Sequence, residues 1–309
     1  MRDADESALR GVAPEGMSGY ALDQDRVRRC FDRAAETYDA AAVLHGEVRN
    51  SLLERLDFTA LTPRVVVDAG AGTGHSARAL KLRYPKAWVI AIDSSPGMLR
   101  AAGRRRSWLR PFSRVCADAE RLPLADGSVD MIVSNLMLQW CNPDAVFAEF
   151  RRVLAPQGLL SVSTLGPDTL RELRTAWAAV DAGLHVNQFT DMHDIGDAMV
   201  RAGFASPVLD VERYTLRYVE VQHLAADLRA TGTGNAMVGR AKGLTGRKKF
   251  AAFRAAYEAF RLDGRLPATY EVVFGLAWTP NTPPRRSGDD GSTVSLNEIK
   301  QLLRSRRRS

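Results

Sequence analysis

The stretch Val65–Gly74, reading VVVDAGAGTG, constrains the fold of this chain more than any other. Val65, Val66 and Val67 are a β-branched run, the composition of a strand covered on both faces. Asp68 ends that strand, and Gly70, Gly72 and Gly74 follow at alternate positions. His75–Arg83 is compatible with a helix, so the unit is strand, glycine turn, helix, with His75 part of the turn. Glycines in such a turn let the backbone take positive φ and come close to a ligand. The free N–H groups of the helix behind them suit an anionic or carboxylate-bearing ligand.

The spacing separates ligand classes. A dinucleotide fingerprint needs a glycine three places after its second one, and counted from Gly70 that place is His75. A P-loop needs Gly-Lys-Ser/Thr, but Gly74 is followed by His75 and Ser76. A strand ending in DxGxGxG instead suits a nucleoside that carries an amino acid. Asp93 supports this: it lies nineteen residues after Gly74, at the end of the apolar run Trp88–Ile92. An acid there can accept hydrogen bonds from both ribose hydroxyls. Asp118, with Ala119, follows the short strand Ser113–Cys116, where a carboxylate can accept from an adenine amino group.

At 309 residues the chain fits one α/β core of about 200 residues with helical additions. No apolar run approaches the roughly 20 residues that span a bilayer, and MRDADESALRGV lacks a signal-peptide apolar region. Cys30, Cys116 and Cys141 are odd in number and scattered, without a CxxC, so neither a disulfide framework nor a metal site is expected. The compartment expected is the cytoplasm. The net charge of +7 is clustered at Arg104–Arg106, Arg247–Lys249, Arg285–Arg286 and the RSRRR tail, which favours an acidic partner.

Taken in order, the pattern predicts a mobile tail over 1–22 and an N-terminal helical flap over 23–64. Phe31 and Tyr38 are seven residues apart and share a face if that helix is continuous. A nucleoside-binding core over 65–220 follows, with further strands at Val129–Asn135, Leu159–Leu165 and Val208–Val219. Helices are expected after Pro96, closed by Arg104–Arg106 pointing away from the ligand mouth, and at Phe147–Leu154, stopped by Pro156 and Gly158. A helical insertion occupies 166–189, and Asp191–Ala202 is a helix closed by Gly203. Residues 221–268, basic and broken by glycines, are too many for a hairpin and are placed as a helical cap. A last core strand, Tyr270–Trp278 within 269–279, precedes a basic tail at 280–309.

VVVDAGAGTG, Asp93, Asp118-Ala119 and VDMIVSNLMLQW together resemble the class I S-adenosylmethionine-dependent methyltransferases. Outside the core, FDRAAETYDAAA, LMLQWC, FTDMHDIGDAMVRAGF, GLTGR and LPATYEV are similar to the malonyl-[acyl-carrier protein] O-methyltransferases of biotin synthesis. A mitochondrial complex I assembly factor that acts as an arginine hydroxylase is similar in the same segments. The resemblance implies a Rossmann-like fold with a seven-stranded, mostly parallel sheet and helical cap insertions. It implies S-adenosylmethionine as cofactor, with contacts at Asp68, Gly70, Gly72, Gly74, Asp93, Ser94, Met98, Asp118, Ala119, Asn135 and Gln139. It also implies methyl transfer to the free carboxylate of a malonyl thioester on acyl carrier protein.

Such a carboxylate, with a reference pKa near 4, is already ionised at pH 7 and needs no general base. None is evident: His193 is read as structural. Arginine is the natural fork for a carboxylate, and Arg240, before GLTGR, is the first choice, with Arg29 second. Tyr38, Gln139, Trp140 and Tyr270 are candidates for the pocket wall, with Tyr38, Arg240 and Tyr270 taken as the catalytic set. Arg247, Lys248 and Lys249 are placed to meet the acidic carrier protein. Hydroxylation of arginine, a small-molecule methyltransferase and a binding module without turnover stay open. A nucleic-acid methyltransferase is disfavoured because SNLMLQW lacks the D/N-P-P-Y/F tetrapeptide.

Overall fold

The computed structural model describes residues 22–105, 109–241, 243 and 245–281. Expectations for residues 1–21 and 282–309, and for Arg106, fall outside them. The strands β1 (Val65–Ala69), β2 (Trp88–Asp93), β3 (Ser113–Cys116) and β4 (Val129–Asn135) pair in parallel. β1, β2 and β4 are mostly apolar and buried, whereas β3 alternates between half-buried and exposed side chains. β5 (Leu154–Leu165) extends this parallel set, and β7 (Leu266–Trp278) runs antiparallel between β5 and β6 (Ala205–Tyr218). The order is β3-β2-β1-β4-β5-β7-β6. The chain thus winds outward from β1 in one direction, returns, and continues from β4 in the other. A crevice opens at the carboxyl ends of β1 and β4, where ligands bind in open α/β sheets. The fold is the Rossmann-like α/β arrangement expected, seven-stranded and mostly parallel.

Alternate side chains of the strands go to opposite faces. One face packs Val66, Val89 and Met131 against α3 (Val43–Glu54), α4 (His75–Arg83) and α10 (Arg247–Glu258), through Val48, Leu80 and Phe253. The other packs Ile90, Ile92 and Ile132 against α6 (Pro143–Val153) and α8 (Met192–Arg201), through Phe147, Phe150 and Met199. β6 is the edge strand beyond β7, and its side chains mostly alternate between partly buried and exposed. The remaining helices are α1 (Gln24–Ala34), α2 (Tyr38–Ala41), α5 (Pro96–Arg105), α7 (Arg171–Ala178) and α9 (Val221–Ala230).

Several boundaries differ from expectation for local reasons. The helical flap expected from Asp23 is not one continuous helix but is divided into α1, α2 and α3. Thr37, which opens the break, donates its hydroxyl to the Ala34 carbonyl at 3.2 Å and to the Ala230 carbonyl at 2.9 Å. A tertiary tie to α9 thus ends α1 where no Gly or Pro marks a stop. α6 begins at Pro143, four residues before the predicted start, because Asn142 caps it by accepting from the Asp144 amide. β5 begins at Leu154, so Pro156 and Gly158 fall inside a strand, where the β4–β5 register shifts. Leu22, assigned to the tail, instead forms an antiparallel bridge with Met237.

Candidate active site

The glycine turn is built by its left-handed residues. Gly70, Gly72 and Gly74 have φ of 73°, 52° and 83°, values that side-chain-bearing residues avoid. Their surroundings differ. A Cβ on Gly70 would lie 2.3 Å from Met137 Cγ, and one on Gly74 would lie 2.8 Å from Ala102 Cβ. A Cβ on Gly72 would meet nothing within 4 Å. Gly72 is therefore the open place in the turn, whereas Gly74 serves packing against α5 and lines none of the cavities described below.

Asp93, at the end of β2, locks this turn to the next. Its carboxylate accepts from the Gly72 amide and from the Ser95 amide, each at 2.8 Å. Burial, joined by the nearby Asp32 carboxylate, raises its pKa, while the two amides oppose the rise. Asp32 of α1 accepts from the Ser95 hydroxyl at 2.6 Å and the Gly97 amide at 2.8 Å, tying the N-terminal helices to the same turn.

Three cavities converge at the strand ends. The first, the strand-end cavity, is lined by Phe31, Tyr38, Asp93, Ser94, Met98 and Asp118, with Ala119, Gly70, Gly72 and Asn135. Most of the residues expected to contact a cofactor come together here. Phe31 and Tyr38 share it although their helix is broken between them. Phe31 also meets Trp140 edge to face, with ring centroids 5.3 Å apart. The second, the flap cavity, continues past Tyr38, Gly72 and Asn135 to Asp39, Arg49, Thr73 and His75. The third is apolar, lined by Leu44, Leu136, Trp140, Leu165 and Leu170 among others, with His45, Tyr218, Asp227 and Tyr270 as its titratable members.

The open Gly72, the Asp93 carboxylate and the continuation into the flap cavity fit a nucleoside bearing an amino acid. The first and second cavities would take its two ends.

Some expected residues lie elsewhere. Gln139 is on the apolar cavity, where its amide donates to the Leu136 carbonyl at 2.7 Å. Arg240 lines none of the three cavities: its guanidinium donates to the Met237 carbonyl at 2.9 Å and stands 4.0 Å from Asp23. The expectation that it forks a substrate carboxylate has no geometric support here. Arg29 also lines none of the three. Arg105, expected to point away from the mouth, pairs with Asp39, which accepts from the Thr73 hydroxyl at 2.6 Å and lies 3.2 Å from His75. Burial pushes the Asp39 carboxylate up, but the bonds from Thr73 and Arg105 outweigh it and leave the pKa lowered. His193 sits beside its own helix cap, Asp191, and is exposed, in keeping with a structural role.

Asp68 departs most from expectation. Its carboxylate is sealed, and neither oxygen has a hydrogen-bond partner that meets geometric criteria. Burial raises its pKa to about 7 against the opposing amide of Ala77. A carboxyl raised in the folded state stabilises while protonated. Its contribution is whole below the unfolded pKa near 4 and is lost as pH rises through about 7. Wild-type stability should therefore fall by about 1 kcal/mol per pH unit across that interval relative to Asp68→Asn. Urea denaturation of both proteins at pH 4.5, 6 and 7.5, roughly bracketing the window, checks this; parallel curves would refute it.

Sequence reasoning missed His45, Asp39, Asp227 and two strained leucines. Leu136 and Leu170 have φ of 51° and 55°, and both line the apolar cavity. Such backbone strain in residues with side chains collects at functional sites. Only His45 left a signal, seven residues after Tyr38 and thus on its face if the helix ran on.

Comparison with known proteins accords with this geometry. A family model described as "Methyltransferase domain" matches residues 67–162. A solved structure of the YcgJ protein from Bacillus subtilis superposes with a TM-score of 0.55 at 14% identity, covering 75% of this chain and 99% of that one. That likeness is one of fold. Among curated relatives, the malonyl-[acyl-carrier protein] O-methyltransferase of Laribacter hongkongensis is 56% identical over 89% of this chain and 96% of its own length. The protein of the same name from Methylovorus sp. is 54% identical over 84% of this chain and 90% of its own length. These names do not favour arginine hydroxylation. With identity of this degree across nearly the whole of each relative, the chain belongs to the malonyl-[acyl-carrier protein] O-methyltransferase family, an S-adenosylmethionine-dependent methyltransferase group.

Proposed function

We propose that this chain methylates the free carboxylate of a malonyl thioester carried on acyl carrier protein, an opening step of biotin synthesis. The observation that carries the reading is the 56% identity to a relative of that name over 284 residues, a span too long to be confined to the sheet. When bound, S-adenosylmethionine supplies an electrophilic methyl: the carboxylate oxygen forms the new O–C bond as the S–C bond breaks and its electron pair stays on sulfur.

Gly72, Asp93, Ser94, Met98, Asp118, Ala119 and Asn135 would hold the nucleoside and its amino-acid tail. No residue has to take a proton from an ionised carboxylate. Tyr38 and Tyr270 fit this. Burial, with Asp93 and Asp39 adding to it, pushes the Tyr38 phenol above its ordinary range. Burial and the neighbouring Tyr218 push Tyr270 up as well. Both stay protonated, so each serves as a hydrogen-bond donor or wall and not as a base. Rate then comes from alignment of the reacting atoms, worth up to about 7–11 kcal/mol in intramolecular systems. Residues 23–64 as flap and 221–268 as cap would exclude water; α9 contributes Asp227 and Leu228 to the apolar cavity. Three free thiols suit the cytoplasm, and among the described residues no helix is long and apolar enough to cross a membrane.

The carrier protein is acidic, and Arg247 and Lys248 are exposed on α10, beside Lys249, which pairs with Asp181 at 2.9 Å. Reversing both charges, Arg247→Glu with Lys248→Glu, should raise KM for malonyl-carrier about tenfold at low salt, leave kcat unchanged, and matter less at about 0.5 M salt. KM equal to wild type at low salt would remove α10 from the docking surface. The reaction itself is tested with methyl-labelled S-adenosylmethionine offered malonyl-carrier protein, malonyl-CoA and RNA in parallel. Base-labile label in the malonyl product is the expected result. Its absence from protein that still binds S-adenosylhomocysteine would overturn the reading.

A further inference from the structure

The three cavities share walls, and the shared residues locate where donor and acceptor meet. Tyr38, Gly72 and Asn135 line both the strand-end and flap cavities. Leu136 and Trp140 line both the strand-end and apolar cavities. His45 lines both the apolar and flap cavities. His45 therefore stands on the partition between the space for the cofactor's tail and the space left for an acyl group. Its position is fixed: the Asn135 amide donates to the His45 carbonyl at 3.1 Å, and its ring packs against Tyr38 with centroids 5.3 Å apart.

The apolar cavity has no lysine or arginine in its lining. A carboxylate entering it must be held by neutral donors, and most of the polar groups there are already engaged. The Gln139 amide donates to Leu136, the Asn187 amide oxygen accepts from the Ala236 amide at 3.0 Å, and the Thr231 hydroxyl donates to the Asp227 carbonyl at 2.8 Å. His45 is different. Its Nδ1 is sealed from solvent and has no partner, while the residue as a whole is partly accessible. A bare lone pair is tolerated without a partner more readily than an orphaned N–H. The proton therefore belongs on Nε2, the nitrogen left for the cavity side. Burial lowers the pKa of the ring to about 4, in keeping with a neutral imidazole carrying one proton.

We propose that His45 holds the substrate carboxylate at this partition, its Nε2–H donating to the oxygen that is not methylated. The assignment rests on the malonyl reading above. A guanidinium fork would engage both oxygens and draw electron density from the nucleophile. One neutral N–H orients the group and leaves the second oxygen's lone pair free. No proton changes hands in the transfer, so His45 acts as a fixed donor and not as an acid or base.

The test compares His45→Phe, His45→Gln and His45→Asn. A glutamine amide reaches about as far as Nε2, whereas an asparagine amide reaches only as far as Nδ1. In His45→Phe and His45→Asn, kcat/KM for malonyl-carrier should fall about 10- to 100-fold, the value of one hydrogen bond to a charged group. His45→Gln should stay within a few-fold of wild type. Calorimetric affinity for S-adenosylhomocysteine should change by no more than about threefold in all three, well below the loss in kcat/KM, because the hydrogen bond removed is made to the substrate and not to the cofactor. Nitrogen NMR of the wild-type protein with S-adenosylhomocysteine should show the Nε2–H tautomer at His45, and the Nε2 resonance should move when malonyl-pantetheine is added. A His45→Phe enzyme as active as wild type, or an Nδ1–H tautomer, overturns the assignment alone. A wild-type enzyme that binds S-adenosylhomocysteine but methylates no malonyl substrate overturns the substrate reading and this assignment with it.

Discussion

Asp93→Ala should lose at least about 100-fold in affinity for S-adenosylmethionine, the cost of removing two or more hydrogen bonds from one charged acceptor. The magnitude follows from what this side chain does at once. Each oxygen already takes a backbone amide, from Gly72 and from Ser95, at 2.8 Å. The side chain also lines the cavity where a ribose would lie. Truncation leaves both amides without their acceptor and frees the glycine turn from the turn that follows β2. Asp93→Asn should be nearly as damaging, because an amide nitrogen would then confront one of those N–H donors. Calorimetry with S-adenosylhomocysteine measures the loss, and a thermal melt without ligand shows whether the fold persists. Affinity within fivefold of wild type, roughly 1 kcal/mol, would remove Asp93 from the cofactor site.

How much of this arrangement could be read beforehand depended on whether the cause was local. The strand Ser113–Cys116 was placed to the residue, although its side chains alternate between half-buried and exposed. Val129–Asn135 was legible to the residue as well, because a mostly apolar run between turn signals is decided within the segment. The glycine turn and Asp93 were legible for the same reason. The break at Thr37 was not, since the bond that favours it comes from Ala230, nearly two hundred residues away. Arg240 illustrates the limit for side chains. Carboxylate chemistry calls for an arginine, but the fold engages this one with Met237 and Asp23. His45 illustrates the converse: its spacing of seven from Tyr38 is the one mark it carries along the chain, and that spacing names no role for it. It matters because α3, β4 and the segment before β7 place cavity walls around it. Glycine identity was visible as well, but the separate duty of each glycine was not.

Those duties give a sharp contrast. Gly70→Ala should destabilise the protein by about 2–5 kcal/mol, from a left-handed backbone costing about 1–2 and overpacking costing about 1–3. At φ 73° the new Cβ would lie 2.3 Å from Met137 Cγ and 2.5 Å from Met137 Cβ. A change of rotamer can withdraw Cγ, but Cβ is fixed by the backbone. Met137→Ala should therefore restore only part of the loss, and Met137→Gly more of it. Gly72→Ala meets nothing within 4 Å. It should cost only about 1–2 kcal/mol of stability, the backbone term alone. Its methyl, however, would project into the open place a cofactor must approach. Gly72→Ala should accordingly be a binding mutant, losing tenfold or more in S-adenosylhomocysteine affinity, roughly 1.4 kcal/mol, with its melt little changed. Gly70→Ala should be a stability mutant first, its midpoint in urea displaced at unchanged slope. If the two substitutions lowered stability equally and left affinity alike, the turn would be a packing element throughout. The open face of Gly72 would then carry no ligand.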